Sequence, residues 1–134
     1  MSTFEWPVRV YYEDTDAAGV VYYANYLKFL ERGRTEWLRT LGFAQDTLMR
    51  DAGIVFAVRR VEIDYLRPAR FDDALVVASQ MDVAGRASLT FRQRLLRDDS
   101  LLADARVQVV CLDQAKFRPS GIPLVIRQKM KELI

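Results

Sequence analysis

The chain has 134 residues, with 20 basic and 18 acidic side chains and a formal net charge of +2. A chain of this length is typical of one domain that buries its own hydrophobic core, so we expect a single domain over residues 1–134. The balanced charge argues against a protein that binds nucleic acid or anionic lipid electrostatically.

Two residue types that carry much enzyme chemistry are missing or scarce. The sequence contains no histidine and a single cysteine, Cys111. This excludes Ser-His-Asp and Cys-His catalysis, His-ligated metal sites and a disulfide within the chain. The N-terminus has no signal-peptide pattern, and no apolar run approaches the ~18 residues of a membrane span. We therefore expect a cytoplasmic protein whose chemistry uses carboxylates, hydroxyls, amides and backbone dipoles.

The N-terminal third predicts a strand, a sharp turn and a long helix. Apolar and other residues alternate over Pro7–Tyr12, which is typical of a half-buried strand. The acidic segment that follows ends at Gly19, which favours an abrupt change of chain direction. Apolar residues at three- and four-residue steps then predict a helix from about Tyr23 to Leu41.

Gly33 lies in the middle of this predicted helix. A glycine there costs ~1 kcal/mol relative to alanine. This glycine is either tolerated as strain, or it allows another backbone or a ligand to approach the helix closely. We favour the close approach.

The rest of the chain predicts a short helix over 44–52, several strands joined by turns, and a short basic helix over Leu124–Leu133. The predicted strands are Ile54–Leu66, Leu75–Val83, Leu89–Leu96 and Leu102–Leu112. This order predicts an α+β fold with an antiparallel sheet, which must curve around the broad apolar arc of the long helix. Apolar residues such as Val76 and Val110 on the second strand face, or an exposed edge, predict oligomerisation.

An acidic group lies between the first strand and the long helix. Asp14 and Asp16 are two residues apart, so both side chains project to the same side if the chain is extended there. Backbone N–H groups at the helix start favour negative charge, and they are suited to hold an oxyanion while a carboxylate attacks or activates water. The alternatives are residues that form a turn or cap the helix, and an Asp-x-Asp metal site.

The segment VRVYYEDTDAAGVVYYANYLKFLERGRTEWLRTLGF carries the pattern D-x-D-x-x-G-x-V-Y-x-x-x-Y. It resembles the hotdog-fold acyl-CoA thioesterases, in the branch that holds the Tol-Pal-associated and the 4-hydroxybenzoyl-CoA thioesterases. The resemblance continues through VEIDYLRPARFDDALVV and VVCLDQAKFRPSGIP. It implies a cofactor-free enzyme in which a five-stranded antiparallel sheet wraps a long helix. It also implies subunits paired edge to edge as dimers or tetramers, with active sites at the dimer interface.

The resemblance implies roles for particular residues. Asp16 matches the catalytic carboxylate, and the backbone N–H of Tyr23 or of a neighbour matches the amide that polarises the thioester carbonyl. The Tol-Pal-associated branch usually has histidine where this chain has Tyr23, so the substrate class does not transfer from that branch. Attack by the carboxylate and activation of water both stay open. The nucleotide end of coenzyme A is assigned to Arg86 and Ser88, with Arg118 as a weaker candidate.

Other residues of interest have two interpretations each. Tyr22, Tyr23 and Tyr26 belong to the core by periodicity, or they line an acyl pocket that binds the substrate, and the resemblance favours contact with the substrate for Tyr23. Asn25 either caps the helix, which we favour, or touches the substrate. Glu31 is a weak candidate for a second carboxylate, and Cys111 is expected to be an inert core thiol.

The function that these features favour is hydrolysis of acyl-CoA thioesters. There are two alternatives. One is an enzyme that hydrolyses thioesters on acyl carrier protein, and the other is a non-catalytic module that binds acyl-CoA or a protein. The length and the aromatic or aliphatic nature of the acyl group stay open, because pocket depth depends on packing and on the partner subunit.

Overall fold

A computed structural model describes residues 1–134 and contains one five-stranded sheet, in the order β1-β3-β4-β5-β2. All neighbouring strands are antiparallel. The strands are β1 (Thr3–Arg9), β2 (Ile54–Tyr65), β3 (Ala74–Ala84), β4 (Ser88–Arg97) and β5 (Ser100–Asp113), and the helices are α1 (Tyr26–Thr40), α2 (Gln45–Thr47) and α3 (Leu124–Glu132). The expected α+β fold is confirmed, and no helix combines the length and apolar character that crossing a bilayer requires.

The bounds of the first strand differ from the prediction. β1 spans Thr3–Arg9, whereas the alternation predicts Pro7–Tyr12, and residues 12–14 form a 3₁₀ turn. The Asp14 carboxylate accepts the Tyr11 backbone N–H at 2.8 Å. This local bond from a side chain to the backbone competes with the sheet and ends the strand early.

The core lies between α1 and one face of the sheet. Alternate residues of β3, β4 and β5 are buried, among them Val77, Phe91 and Val107, as the period of two predicts. From α1, Phe29 and Leu30 are fully buried against this face.

Gly33 lies where α1 packs closely against side chains of the sheet. A Cβ atom at Gly33 would lie 2.6 Å from Cγ1 of Val77 and 3.3 Å from Nε2 of Gln93. The groups that approach Gly33 are thus side chains of the sheet, so the expectation of another backbone at this position is wrong. Gln93 in turn donates to the Leu30 carbonyl and to Ser79 Oγ, both at 2.9 Å, and accepts from Arg34.

The other face of the sheet is mainly charged. Asp104 accepts from Arg92 at 3.1 Å and lies 3.8 Å from Arg94. These arginines are partly exposed, in agreement with their interpretation as solvated residues of a strand face. The expected apolar second face is largely wrong, because Val76 and Val110 are only half-buried residues on a face rich in ion pairs. The case for oligomerisation then depends on the free edge of β2.

Candidate active site

The chain between β1 and α1 folds back on itself. The Asp16 N–H donates to the Val20 carbonyl at 2.9 Å, Thr15 bridges to Val21, and the Tyr22 N–H donates to the Asp14 carbonyl at 3.0 Å. Residues 14–22 thus form a small hairpin, which reverses at Gly19 with φ of +80°. The reversal confirms the predicted change of direction.

Asp14 and Asp16 occupy different environments, so their predicted projection to one side is wrong. The 3₁₀ turn buries Asp14, which is 5% exposed, whereas Asp16 is exposed. One oxygen of Asp16, Oδ1, accepts the Ala18 N–H at 2.9 Å and forms an Asx turn. The other oxygen makes no hydrogen bond within the chain. Asp16 therefore helps to form the turn and still has one carboxylate oxygen for a ligand.

Asp16 lines an open cavity of about 440 Å³. The other lining residues are Tyr12, Thr15, Ala17, Gly19 and Phe71. The rings of Tyr12 and Phe71 meet edge to face at 5.9 Å. The carboxylate is thus placed at a surface that an acyl or pantetheine group can reach.

The start of α1 presents free backbone donors close to this hairpin. Residues 23–25 form a 3₁₀ turn that runs directly into α1, and the Asn25 N–H donates to the Tyr22 carbonyl at 2.8 Å. Tyr23 and Ala24 come before Asn25 in this first turn, where the helix has no carbonyl oxygen that could accept their backbone N–H groups. The dipole of the helix adds partial positive charge at the same place.

Four tyrosines surround this helix start. Tyr26 is core, as periodicity predicts, and its hydroxyl accepts the Ala69 N–H at 2.9 Å. Tyr22 and Tyr23 are 47% and 62% exposed, so the core interpretation is wrong for them. Tyr65, at the end of β2, donates its hydroxyl to the Tyr23 carbonyl at 3.0 Å.

Sequence reasoning missed Tyr65, which lies 42 residues from Tyr23 in the chain. Neither a local motif nor periodicity connects the two residues. Burial raises the pKa of Tyr65, and the neighbouring tyrosines raise it further. The phenol is therefore kept in the protonated form that donates to the Tyr23 carbonyl.

Asn25 does not cap the helix. Its side chain makes no hydrogen bond to a backbone N–H at the helix start, and its Nδ2 donates to Oδ1 of Asp14 at 2.5 Å. The favoured capping interpretation is wrong because the buried Asp14 carboxylate competes for this amide.

The residues assigned to the nucleotide are brought together at one place. Arg86 and Ser88 lie at the β3–β4 turn, where the Gly85 N–H donates to the Ser88 carbonyl at 2.8 Å. The Arg86 carbonyl accepts the Ile122 N–H at 2.8 Å, which joins this turn to the loop that carries Arg118. Both arginine side chains are exposed.

These residues and Asp16 lie at opposite ends of the sheet. The Asp16 hairpin follows Arg9, which pairs with Ala74 at the start of β3, whereas Arg86 follows the end of β3. The 11 residues of β3 extend over roughly 35 Å at ~3.3 Å per residue. Within one chain, the two groups of site residues are therefore far apart.

Glu31 belongs to a second cavity, between α1 and the free edge of β2. This cavity has a volume of about 510 Å³ and is lined by Leu27, Val58 and Val61 together with Glu31 and Arg34. Burial lowers the pKa of Arg34 to about 10, which leaves it charged at neutral pH. No three His, Cys, Asp or Glu side chains are grouped in a way that could hold a metal ion.

A family model described as the thioesterase-like superfamily matches residues 10–130. The chain belongs to this superfamily. It is 45% identical over 130 residues to the acyl-CoA thioesterase YbgC of Haemophilus influenzae, with 97% of this chain and 96% of the relative covered. It is 33% identical over 131 residues to the acyl-CoA thioesterase YbgC of Helicobacter pylori, with 94% and 96% covered.

Solved structures of the superfamily have the same fold. A probable thioesterase from Bartonella henselae superimposes with a TM-score of 0.86 at 35% identity, over 91% of this chain and 100% of that chain. The suspected resemblance to hotdog thioesterases is confirmed.

Proposed function

We propose that this protein hydrolyses acyl-CoA thioesters to a free acid and coenzyme A. Membership of the superfamily and the acyl-CoA thioesterases that are 45% identical support this function. The observation that carries the mechanism is the hairpin of residues 14–22. It joins Asp16, with a carboxylate oxygen free of internal hydrogen bonds, to a helix start with free amides.

The chemistry needs only these two groups. The Tyr23 N–H donates to the thioester carbonyl oxygen and stabilises the negative charge that develops there. Asp16 either attacks the carbonyl carbon, giving a mixed anhydride that water then hydrolyses, or removes a proton from an attacking water. In both routes the sulfur leaves as a thiolate, which is a good leaving group. No imidazole is therefore required.

Asp16→Asn tests this mechanism. We expect the variant to fold and to lose most of its turnover, measured as release of the free thiol of coenzyme A. Glu13→Gln is a matched control, because Glu13 is an exposed acid in the same segment, and it should keep wild-type kcat. A near wild-type kcat for Asp16→Asn would remove Asp16 from the mechanism. Tight binding of a non-hydrolysable acyl-CoA analogue by a protein without turnover would favour the non-catalytic alternative.

Carrier-protein thioesters are the second candidate substrate. Arg86 and Arg118 favour coenzyme A, because its nucleotide end carries phosphates that guanidinium groups bind well. Turnover of one acyl group on coenzyme A and on acyl carrier protein should favour coenzyme A. The opposite ranking would support the carrier-protein alternative.

The free edge of β2 supports a homodimer as the functional unit. β2 has 12 residues, pairs only with β5, and exposes Val58 and Tyr65. A second copy that pairs antiparallel along this edge would continue the sheet and cover the exposed edge.

This pairing would also complete the site. β2 begins at Ile54, beside Asp113 and the loop of Arg118, and ends at Tyr65, which contacts Tyr23. Antiparallel pairing places the start of one β2 next to the end of the other. Arg86, Ser88 and Arg118 of one copy then approach Asp16 of its partner, and there they would bind the nucleotide end of coenzyme A.

Single and mixed variants test this assembly. Arg86→Ala should raise KM and leave kcat unchanged, whereas Arg94→Ala, on the charged sheet face, should change neither. A mixed dimer pairs one Asp16→Asn subunit with one Arg86→Ala subunit. If each site takes Arg86 from the partner subunit, both substitutions fall in one site of this hybrid and the other site is intact. At subsaturating substrate such a hybrid should recover about half of the wild-type rate, by this count of intact sites. A hybrid without recovery would place both residues of a site in the same chain.

A further inference from the structure

The buried carboxylate of Asp14 has no role in the chemistry proposed above. Both of its oxygens are nevertheless used. Oδ2 accepts the Tyr11 backbone N–H at 2.8 Å, and Oδ1 accepts the side-chain amide of Asn25 at 2.5 Å. The Asp14 carbonyl oxygen accepts the Tyr22 N–H at 3.0 Å. One residue thus holds the end of β1, the hairpin and the helix start together.

We propose that Asp14 and Asn25 form a positioning pair, which fixes the Tyr23 amide relative to the Asp16 carboxylate. The inference rests on the proposed function. Asp14 precedes Asp16 by two residues, and Asn25 follows Tyr23 by two, so their hydrogen bond closes the segment that carries both reacting groups. Misplacement of reacting groups by about 1 Å costs up to ~10²-fold in rate, so such a closure has a direct effect on kcat.

The chemistry of the pair explains why these residue types are present. An ionised carboxylate only accepts hydrogen bonds, and here it meets two donors. Asparagine at position 14 would present a donor to Nδ2 of Asn25, so the bond could form again only if the Asn25 amide turned over, and then without the charge of the carboxylate. Aspartate at position 25 would bring two carboxylates together. Since Asp14 is buried, water cannot readily replace the lost partner.

A reciprocal exchange of the two residues tests the proposal. Asp14→Asn and Asn25→Asp should each lower kcat by about 10- to 100-fold, the range expected for misplaced groups, and change KM little. In the double variant, the side-chain amide at position 14 accepts the Tyr11 N–H through its oxygen and donates through its nitrogen to the new carboxylate at position 25. The double variant should recover kcat to within a few-fold of the wild-type value.

A purely structural role predicts a different result. It would lower the yield or the stability of folded protein and leave kcat per folded active site unchanged, with sites counted by binding of an acyl-CoA analogue. Unchanged kcat in the folded single variants, or a folded double variant without recovery, would overturn the proposal. If both single variants fail to fold, the double variant decides alone: recovery of folding and of kcat supports the pair, and folding without kcat overturns it.

A readout without turnover separates this proposal from the proposed function. In an Asp16→Asn background, hydrogen exchange of the two hydrogen-bonded amides of this segment, those of Tyr22 and Asn25, should be faster in each single variant and slow again in the double. The same rates in all variants would overturn the positioning pair. Full turnover in Asp16→Asn alone would instead overturn the proposed mechanism.

Discussion

Replacement of Gly33 by alanine tests the contact between α1 and the sheet. The added Cβ would lie 2.6 Å from Cγ1 of Val77, whereas carbon atoms pack at ~3.5–4.0 Å, so one group must move by about 1 Å. Val77 is completely buried, and Gln93 Nε2, 3.3 Å from the new atom, is held by two hydrogen bonds. Overpacking of this kind costs ~1–3 kcal/mol, and the helix propensity of alanine returns ~1 kcal/mol. We expect the free energy of unfolding to fall by about 1 kcal/mol, and by no more than about 2 kcal/mol.

The assay is denaturant unfolding at fixed protomer concentration, since oligomerisation makes apparent stability depend on concentration. Val77→Ala removes Cγ1 and leaves Cβ of residue 77 and Nε2 of Gln93 at 3.3 Å, so the loss of stability on Gly33→Ala should be clearly smaller in that background. Gly121→Ala is the control, because a Cβ at Gly121 meets nothing within 4 Å. A Gly33→Ala variant at least as stable as the wild type would refute the reasoning, as would an equal effect in both backgrounds.

Three further predictions concern other parts of the fold. Tyr65→Phe removes the hydrogen bond to the Tyr23 carbonyl and should lower the free energy of unfolding by about 0.5–1.5 kcal/mol, measured with denaturant. Because burial raises the pKa of Tyr65, the stability that its protonated phenol supplies is complete below the ordinary value of ~10 and is lost as pH rises through the raised pKa. The decrease in the free energy of unfolding at alkaline pH should therefore be smaller in Tyr65→Phe than in the wild type. Burial also raises the pKa of the Cys111 thiol, so thiol reagents should label it slowly in the native protein and rapidly in denaturant. Gly53→Ala should lower stability by roughly 1 kcal/mol, measured as a lower Tm, because Gly53 ends the short helical segment with φ of +66°.

The sequence predicted the sheet and the long helix closely because their spacing reflects which side chains are buried. β3 was predicted at Leu75–Val83 and lies at Ala74–Ala84, and its buried residues alternate as the pattern requires. Gly33 was also informative, since a glycine inside an apolar helix indicates that something packs close to the backbone.

The environments of individual site residues could not be read from these patterns. The alternation ran on through Tyr12, and only the hydrogen bonds of Asp14 with Tyr11 show why the strand stops. Tyr65 and Asn25 make their contacts across 42 and 11 residues, and such contacts depend on the fold and not on spacing. The resemblance assigns Asp16 and Arg86 to one reaction, but in one chain they lie at opposite ends of β3.

The tyrosine at position 23, where the resemblance to the Tol-Pal-associated branch implies histidine, is compatible with the proposed chemistry. In the mechanism that we propose, residue 23 acts through its backbone amide, which every residue except proline provides. Its position depends on three hydrogen bonds around it. The Tyr65 hydroxyl donates to the Tyr23 carbonyl, and Asp14 accepts both the Tyr22 N–H and the side-chain amide of Asn25. None of these bonds uses the side chain of residue 23. That side chain is 62% exposed and its ring packs against those of Tyr22 and Tyr65, so the proposal allows it to differ and to contact the acyl group. Tyr23→His should therefore change which acyl groups are preferred and leave hydrolysis itself intact, which a comparison of aromatic and short aliphatic acyl-CoA substrates would measure. Loss of turnover with every substrate in a folded Tyr23→His variant would contradict this separation of backbone and side chain.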